Sequence, residues 1–451
     1  MNTVNQHEPE KEAQSPWSNY IDKQAVRISP SASPVQGTIT MPGSKSLTNR
    51  ALIMAALAVG TSRLEGILKS DDSYWCIHNL TQLGIKIQVD REIAIVEGNR
   101  GEWTLQGIEL YVGAAGTIAR FLPGALAIGR GVWHLKGSNR MHERPLAPLL
   151  DALTSLGAVI QYDANSGFLP LTLHANGLMG GLVSLAGSVS SQFISGLLLA
   201  APYAEEAITI KMEGSIVQPD YVELTLEMMR AFGVPSSWSD NGSSILIRPQ
   251  KYKAQNIKLE PDVSTCGYFW ALAALTNGRI RVDGIHSKTR QPDIELLNVL
   301  EVMGCTINLG ENYIEVCGTS NLKGGFTLNM QRWSDQALTL AVLAIFADGP
   351  ITLLGIEHIR HHECDRIAAI CNELRKLSIQ VDEHMDGFTV YPGLPKAAQL
   401  NPHDDHRMAM ALALIGSKVA GISTLNPSCV SKTCSDYWDR LSTLGVVIEL
   451  I

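Results

Sequence analysis

The chain repeats one hydrophobic pattern six times. In each copy a helix-like segment ends on a large apolar residue, a small residue follows, and an apolar run typical of a β-strand comes next. The small residue is glycine in five copies and serine in the other, and successive copies lie 67 to 76 residues apart. The positions are Leu83 and Gly84, Leu156 and Gly157, Phe232 and Gly233, Met303 and Gly304, Leu377 and Ser378, and Leu444 and Gly445.

This period is too regular for chance and too long for a solenoid repeat, so each copy predicts a small α/β module. Glycine suits the left-handed conformation just past the C-terminus of a helix, and Ser378 is the less comfortable version of that cap. Six modules that each bury one apolar helix face group most simply as three plus three. The pattern therefore predicts two similar α/β (α+β) domains with a cleft between them, where ligands prefer to bind.

Composition narrows the classes of function. A net charge of −8 with 18% charged residues argues against nucleic acid or an anionic membrane as the main partner. Any binding of anions must therefore depend on a local cluster of lysines and arginines. Eight scattered cysteines without a CxxC pair fit reduced thiols in a cytoplasmic protein. No apolar run approaches the roughly 20 residues of a membrane span. Residues 1–24 are acidic, lack a signal-peptide core and predict a disordered tail.

The segment 42–50 predicts an anion site at the start of a helix. Glycine-led and rich in hydroxyls, it places Lys45 and Ser46 where the first backbone N–H groups lack intrahelical partners. Arg50 follows Ser46 by one helical turn on the same face. A nucleotide P-loop is excluded, because five residues separate Gly37 from Gly43 where that motif needs four. A serine-capped helix with a surface lysine and arginine remains open as the plain alternative.

Further segments combine glycine, hydroxyls or isolated cations with a following apolar helix. They are residues 113–120, 140–145 and 188–193, and each is weak evidence alone because glycine and serine also punctuate turns. Such motifs become more frequent toward the C-terminus. There the chain contains Ser-Asp at 334–335, Glu-Cys-Asp-Arg at 363–366, Asp-His-Arg-Met-Ala-Met at 405–410 and Ser-Lys at 431–432.

Together these motifs, in this order and covering nearly everything after the tail, resemble the 5-enolpyruvylshikimate-3-phosphate (EPSP) synthase family. The resemblance implies two domains of three βαβαββ units each, one from residues 25–43 with 262–451 and the other from 44–261, with the active site in the cleft. It also implies transfer of the enolpyruvyl group of phosphoenolpyruvate to the 5-hydroxyl of shikimate 3-phosphate, with release of phosphate, in aromatic amino acid biosynthesis. We expect a cytoplasmic monomer that needs no cofactor and no metal.

The resemblance also implies which residues bind the two substrates, each of which carries a phosphate and a carboxylate. By this resemblance, the phosphate of phosphoenolpyruvate binds to Lys45, the N–H of Gly116, Arg144, Gln192 and Lys432. Its carboxylate falls to Arg366 and Arg407, whose planar forks match a carboxylate. The carboxylate of shikimate 3-phosphate is expected to bind Ser46 and Arg50. Its phosphate is expected to bind Ser190, Ser191 and Tyr221, and Thr117 belongs to the same substrate-binding set.

The reaction needs a base at the 5-hydroxyl and an acid at the methylene carbon, and two carboxylates in different surroundings suit that pair. The resemblance assigns Asp335 to the hydroxyl and Glu363 to the methylene, with Lys45 and His406 assisting. A helix cap at Asp335 and a solvated helix residue at Glu363 are the plain alternatives. His362 stands where relatives commonly have lysine, and we expect a protonated ring that donates to a substrate oxygen.

Two other departures leave contacts open. Ala114 replaces a common asparagine, which together with Phe121 leaves the response to glyphosate open, and Gln218 replaces a serine that often meets the shikimate phosphate. The histidine-rich segment 358–365 invites a zinc hypothesis, but contiguous residues cannot all face one ion. Two functional alternatives remain. A UDP-N-acetylglucosamine enolpyruvyl transferase usually carries a loop cysteine that residues 112–145 lack, and a silent anion-binding paralogue would lack the acid or the base.

Overall fold

The structure, a computed structural model, describes residues 10–240 and 242–451. The chain folds into two compact units. Unit one contains Trp17–Pro42 and Pro261–Ile451, and unit two contains Lys11–Pro16 and Gly43–Glu260. None of the described helices combines the length and the hydropathy of a membrane-spanning helix.

Helices and strands alternate along both units. The helices are α1 (Lys45–Leu57), α2 (Asp71–Gln82), α3 (Gly116–Ala127), α4 (Asn139–His142), α5 (Ala147–Ser155), α6 (Ser191–Ala200), α7 (Asp220–Ala231), α8 (Val263–Thr276), α9 (Leu296–Val302), α10 (Ala337–Ala344), α11 (Arg366–Lys376), α12 (His406–Ala413) and α13 (Tyr437–Thr443). The strands are β1 (Ala25–Ile28), β2 (Gln36–Thr40), β3 (Val59–Glu65), β4 (Lys86–Asp90), β5 (Ile93–Asn99), β6 (Ile108–Tyr111), β7 (Arg130–Lys136), β8 (Val159–Tyr162), β9 (Leu171–Asn176), β10 (Gly181–Ala186), β11 (Ile208–Glu213), β12 (Ser244–Ile247), β13 (Asn256–Lys258), β14 (Arg279–Asp283), β15 (Thr306–Leu309), β16 (Tyr313–Cys317), β17 (Phe326–Asn329), β18 (Ile351–Leu354), β19 (Val381–His384), β20 (Gly387–Val390), β21 (Gln399–Leu400), β22 (Ser423–Leu425) and β23 (Ile448–Leu450).

In the described part of the chain the strands form six sheets, one for each repeat of the sequence. Unit two has the strand orders β13-β3-β5-β4, β6-β7-β9-β8 and β10-β11-β12, and unit one has β15-β16-β14-β2, β17-β18-β20-β19 and β21-β22-β1-β23. Every sheet contains one parallel pair, such as β6 with β7, and continues with antiparallel pairs. A parallel pair requires a crossover, and in four of the sheets one helix supplies it, namely α3, α6, α10 or α12.

The predicted repeat is confirmed at the helix ends. Each of the five glycines follows a helix and has φ between 81° and 109°, and Ser378 takes the same conformation with φ 63°. This left-handed turn lets the chain leave the helix and enter the next strand. One exchange explains why unit one is discontinuous: β2 pairs in parallel with β14 in unit one, while β13 pairs in parallel with β3 in unit two.

Six inner helices form the centres of the two cores. They are α1, α3 and α6 in unit two and α8, α10 and α12 in unit one, and almost all of their residues are buried. A helix that is apolar all round is expected inside a domain rather than on its surface. Helices α3 and α6 pack closely, because a Cβ atom on Gly124 would lie 2.4 Å from the carbonyl oxygen of Gly196. The sequence motifs at 42–50, 113–120, 188–193, 334–335 and 405–410 lie at the N-termini of α1, α3, α6, α10 and α12.

The N-terminal segment departs from the prediction of a disordered tail. Ala13 and Ser15 are buried, and the Ser15 N–H and Oγ both donate to Oδ1 of Asp71, at 3.0 and 2.6 Å. The indole Nε1 of Trp75 donates to the Ala13 carbonyl at 2.9 Å. These contacts satisfy backbone groups that a free tail would leave to water, so residues 10–24 are part of the fold. The prediction for residues 1–9 lies outside the described residues.

Candidate active site

Helix α1 begins with Lys45 and Ser46, as the sequence predicts. The plain alternative of a serine-capped helix with surface cations is wrong, because the Ser44 side chain makes no cap hydrogen bond and Arg50 is 1% exposed. The Nζ of Lys45 lies 3.7 Å from Oδ2 of Asp72, a buried carboxylate at the start of α2. Asp72 therefore holds the lysine side chain beside the N-terminus of α1.

Arg50 is a buried cation among neutral groups. Burial lowers its pKa to about 10, and its guanidinium lies 5.1 Å from the centre of the Phe121 ring. Among the described residues its hydrogen-bond acceptors are the Ser46 and Tyr221 carbonyls, at 2.9 and 3.2 Å, the Ser195 hydroxyl at 3.0 Å and the Thr225 hydroxyl at 2.7 Å. A buried cation is costly without an opposite charge, so this arrangement favours an anionic ligand.

At the start of α3, glycine allows an arginine to approach the backbone. A Cβ atom on Gly116 would lie only 2.8 Å from Nη1 of Arg144, a buried side chain. Arg120 joins the two segments, because its guanidinium donates to the Gly116 carbonyl at 3.0 Å and to the Pro145 carbonyl at 3.1 Å. The arginine at 120 thus positions the loop that carries Arg144, a role that the sequence did not reveal.

Hydroxyl groups gather at the starts of α3, α6 and α7. The Ser190 hydroxyl caps α6 by accepting the N–H of Gln192 at 3.2 Å, and Ser191 is the buried first residue of that helix. Thr117, also buried, accepts a hydrogen bond from Nδ2 of Asn49 at 2.7 Å. Tyr221 lies in the first turn of α7, three residues after Gln218, whose backbone is left-handed with φ 50°.

In unit one, Asp335 bridges two arginines. Its Oδ1 lies 3.2 Å from Nη1 of Arg366 and its Oδ2 lies 2.9 Å from Nη2 of Arg407. Asp335 belongs to the 3₁₀ helix Ser334–Gln336, directly before α10, and its carboxylate retains 14% exposure. The two guanidinium groups thus hold one carboxylate between them, each through one nitrogen and one carboxylate oxygen.

Asp405 is the buried anchor of this cluster. It caps α12 by accepting the N–H of Arg407 at 2.8 Å, and its Oδ2 accepts from Nε of Arg366 at 2.7 Å. Burial alone would lower the pKa of the Arg366 guanidinium, but Asp405, Glu363 and Asp335 together raise it above its usual range. Burial would also lower the pKa of Arg407, but nearby carboxylates, chiefly Asp335, raise it well above its usual range. Both arginines therefore remain charged.

Glu363, the second predicted carboxylate, lies between two cations. Its Oε2 lies 2.9 Å from Nη2 of Arg366 and its Oε1 lies 2.9 Å from Nζ of Lys432. The glutamate is 12% exposed and the lysine 8% exposed. The plain alternative of a solvated helix residue is therefore wrong. Lys432 ends the 3₁₀ helix Pro427–Lys432, so a residue far along the sequence completes the cluster.

The two histidines of this region hold different positions. Nδ1 of His362 lies 3.0 Å from Nη1 of Arg366. Arginine can only donate, so the ring accepts at Nδ1 and carries its proton on Nε2. His406 is the first residue of α12 and its ring is completely buried, 3.7 Å from the Asp405 carboxylate. In this conformation the ring of His406 does not reach solvent, unlike Asp335 and Glu363.

Three positioning residues were missed by the sequence analysis. Asp72 gave no local signal, because Lys45 lies far away along the chain, and Arg120 lies in the segment 113–120 but its contact with the Pro145 carbonyl could not be read from that segment. Asp405 did give one, since an aspartate directly before an apolar helical run is a typical N-cap. Within the described residues, no three His, Cys, Asp or Glu side chains are placed to hold a metal ion.

Comparison with known proteins identifies the family. Residues 30–441 match the family model of EPSP synthase (3-phosphoshikimate 1-carboxyvinyltransferase). A 3-phosphoshikimate 1-carboxyvinyltransferase 2 from Halalkalibacterium halodurans is 52% identical over 443 residues, which cover 98% of this chain and 99% of the relative. A 3-phosphoshikimate 1-carboxyvinyltransferase from Nostoc punctiforme is 42% identical over 409 residues, which cover 90% of this chain and 96% of the relative.

A solved structure shares the fold. The EPSP synthase from Acinetobacter baumannii superimposes with a TM-score of 0.79 at 24% identity, over 95% of this chain and all of that one. Its low identity supports the architecture alone, while the family match and the two close relatives carry the assignment. The carboxylates, arginines and lysines described above all lie within the matched residues 30–441, and this chain belongs to the EPSP synthase family.

Proposed function

We propose that this protein transfers the enolpyruvyl group of phosphoenolpyruvate to the 5-hydroxyl of shikimate 3-phosphate and releases phosphate. One observation carries the proposal: Asp335 and Glu363, the candidate base and acid, are each held by two cations. Both substrates are multiply charged anions, and their phosphate and carboxylate groups form strong charge-assisted hydrogen bonds with lysine and arginine.

In unit two the cations and helix N-termini bind phosphate and carboxylate groups. Lys45, the Gly116 N–H, Arg144 and Gln192 bind the phosphate of phosphoenolpyruvate, and Lys432 of unit one shares that role. Ser46 and Arg50 bind the shikimate carboxylate, which provides the counter-charge that Arg50 lacks among its neutral acceptors. The shikimate phosphate lies with Ser190, Ser191 and Tyr221, and Thr117 supports the same region.

In unit one the carboxylate of phosphoenolpyruvate binds to Arg366 and Arg407. To do so it must take over donors that now hold Asp335. Asp335 then loses much of its contact with the two arginines and lies beside the negatively charged carboxylate of the substrate. Both changes raise the proton affinity of its carboxylate. Substrate binding thereby converts a paired carboxylate into a base that can accept the proton of the 5-hydroxyl.

The chemistry proceeds by addition and elimination. The 5-hydroxyl oxygen bonds to C2 of phosphoenolpyruvate as Asp335 takes its proton, and Glu363 delivers a proton to the methylene carbon, which gives a tetrahedral intermediate that still carries phosphate. Glu363, now a carboxylate, then takes a proton back from the new methyl group, the double bond re-forms, and phosphate leaves with the electron pair of its bond to C2. Lys45 offsets charge on the phosphate, and His362 donates from Nε2 to a substrate oxygen. His406 assists from its buried position beside Asp405.

The protein acts as a monomer in the cytoplasm and needs no cofactor. Its cysteines, among the described residues, are all free thiols, as expected in a reducing compartment. Size-exclusion chromatography with light scattering measures the oligomeric state, and a mass of twice 48.9 kDa would contradict the monomer.

Phosphate release from purified protein tests the reaction. We expect release only when both substrates are present, and no release when UDP-N-acetylglucosamine replaces shikimate 3-phosphate. Asp335→Asn should lower kcat by a factor of about 100 or more, as expected for loss of a general base. Asp348→Asn, an exposed aspartate that accepts the Gly324 N–H, is the matched control and should retain full activity. Binding of both substrates without phosphate release would instead support a silent paralogue.

A further inference from the structure

A segment before the family match fastens to both units. Residues 11–24, which we call the strap, precede residue 30, where the match to the family begins. In unit two the strap is anchored at Ser15, whose N–H and hydroxyl both bind the Asp71 carboxylate, at 3.0 and 2.6 Å. Ser15 is 2% exposed and Asp71 9%, so this anchor is shielded from competing water.

The second anchor of the strap lies in unit one. The Asn19 N–H donates to the hydroxyl of Ser431 at 3.0 Å, and Nδ2 of Asn19 donates to the Ser435 carbonyl at 2.9 Å. The Tyr20 hydroxyl donates to Oδ2 of Asp439 at 2.7 Å. Ser431 is completely buried.

Each anchor adjoins a lysine assigned to phosphate binding. Asp71 precedes Asp72, the buried carboxylate that lies 3.7 Å from Nζ of Lys45. Ser431 precedes Lys432, whose Nζ lies 2.9 Å from Glu363. A movement of either anchor therefore moves the backbone that carries a charged group of the candidate site.

We propose that the strap positions Lys45 and Lys432 for the phosphate of phosphoenolpyruvate, acting through Asp71 and Ser431. The inference rests on the roles assigned to these lysines above. Only residues 16–18 separate Ser15 from Asn19, and an extended chain spans at most about 3.6 Å per residue. So short a covalent link couples the two anchors, because releasing one of them loosens the chain that leads to the other.

A double-mutant cycle tests the strap. Ser15→Ala and Ser431→Ala each remove one side-chain hydrogen bond, and each should raise the KM for phosphoenolpyruvate about 3- to 10-fold while kcat changes less than 2-fold. In the double variant the KM should rise by clearly less than the product of the two single effects, because releasing one anchor already frees the strap. Effects that multiply would show two independent local contacts and overturn the proposal.

Controls separate positioning from a general loss of stability. Ser236→Ala in unit two and Ser417→Ala in unit one each remove a buried serine hydrogen bond elsewhere, at 3.0 and 2.7 Å. They should lower Tm about as much as the strap variants but leave the KM unchanged. If the strap variants leave the KM unchanged as well, the strap is merely structural and the proposal fails.

Lysine variants distinguish failure of the strap from failure of the assigned roles. Lys45→Gln and Lys432→Gln should each raise the KM for phosphoenolpyruvate more than either serine variant does. If the lysine variants retain the wild-type KM, the assigned roles are wrong, and the strap proposal falls with them. If only the lysine variants raise the KM, the roles stand and the strap proposal alone is overturned.

Discussion

Arg366 shows how one side chain can determine the state of its neighbours. Its guanidinium has five N–H donors, and five contacts use them: Asp405 twice, and Asp335, Glu363 and Nδ1 of His362 once each. The sequence predicts a protonated ring at His362. A cationic ring would direct an N–H at an N–H of Arg366, so we predict instead that this histidine works as a neutral donor through Nε2.

This difference leads to a prediction for pH dependence. Glutamine at 362 can still donate through its amide but cannot titrate. His362→Gln should therefore retain turnover within about 5-fold and keep the wild-type alkaline limb of the pH profile. His362→Ala should lose about 10- to 100-fold, as expected for one lost hydrogen bond to a charged group.

Initial rates between pH 6 and 9 measure both effects, with phosphate release as the signal. His286→Gln, a loop histidine of unit one, serves as the matched control. If the alkaline limb of the wild-type enzyme disappears in His362→Gln, then the ring works in its protonated form, and the neutral-donor assignment is wrong.

At the scale of elements, the turn that carries Asp335 is clamped on both sides. The Ser334 hydroxyl lies 2.8 Å from Nε2 of His358, on the 3₁₀ helix Glu357–His361, and Nε2 of Gln336 donates to the Ser264 carbonyl at 3.0 Å. A Cβ atom at Gly267 would lie 2.4 Å from Oε1 of Gln336, so glycine makes room for this clamp. Asp335, the proposed base, is thereby positioned by its two flanking residues.

The His358 clamp predicts a loss of stability in acid. Burial lowers the pKa of His358 to about 4, while Asp335 opposes the shift and Arg366 and His361 add to it. Below about pH 6.5 the ring of His358 is protonated in the unfolded chain but remains neutral in the folded protein. Stability should therefore fall as the pH decreases from about 6.5 toward 4, by about 2 kcal/mol at pH 5 from this group.

Thermal unfolding at pH 7 and pH 5 checks this expectation. His358→Gln keeps a partner for Ser334 but cannot titrate, so the variant should lose about 2 kcal/mol less than the wild-type protein over this interval. His174→Gln, on β9 of unit two, is the control and should follow the wild-type protein. Equal losses in His358→Gln and wild type would show that His358 does not carry the acid sensitivity.

At the scale of the whole molecule, the net charge and the local charge of the candidate site predict opposite effects on the capture of anionic substrates. The net charge is −8, which repels anionic substrates, while the candidate site concentrates lysines and arginines at helix N-termini. The Debye length is about 10 Å at 0.1 M salt, so a substrate close to the site responds to local charge more than to the total. Local cations should therefore control its capture.

The dependence of kcat/KM on salt decides between them. We expect kcat/KM for phosphoenolpyruvate to fall several-fold between about 0.05 and 0.5 M potassium chloride, because salt screens attraction to the local cations. Lys86→Gln, an exposed surface lysine, should have the same salt dependence as the wild-type protein. A rise of kcat/KM with salt would mean that the overall negative charge controls capture.

The sequence alone determined the features that depend on neighbours along the chain. A helix end followed by a left-handed residue needs only a few adjacent positions, so the sixfold repeat, the α/β class and the two-domain arrangement could be read from the order of residues. The starts of helices such as α1 and α3 are local in the same way. The family motifs lie at these starts, which is why they identified the family before any fold was known.

Only the tertiary structure decided features that join distant parts of the chain. Asp72 beside Lys45, Asp405 beside Arg366, and the packing of residues 10–24 depend on contacts between segments that no local pattern connects. The contact of Nδ1 of His362 with Arg366 likewise depends on how the 3₁₀ helix Glu357–His361 and helix α11 place the two side chains. Long-range contacts set these properties because electrostatics and packing act through space, whereas capping and turn preferences act along the chain.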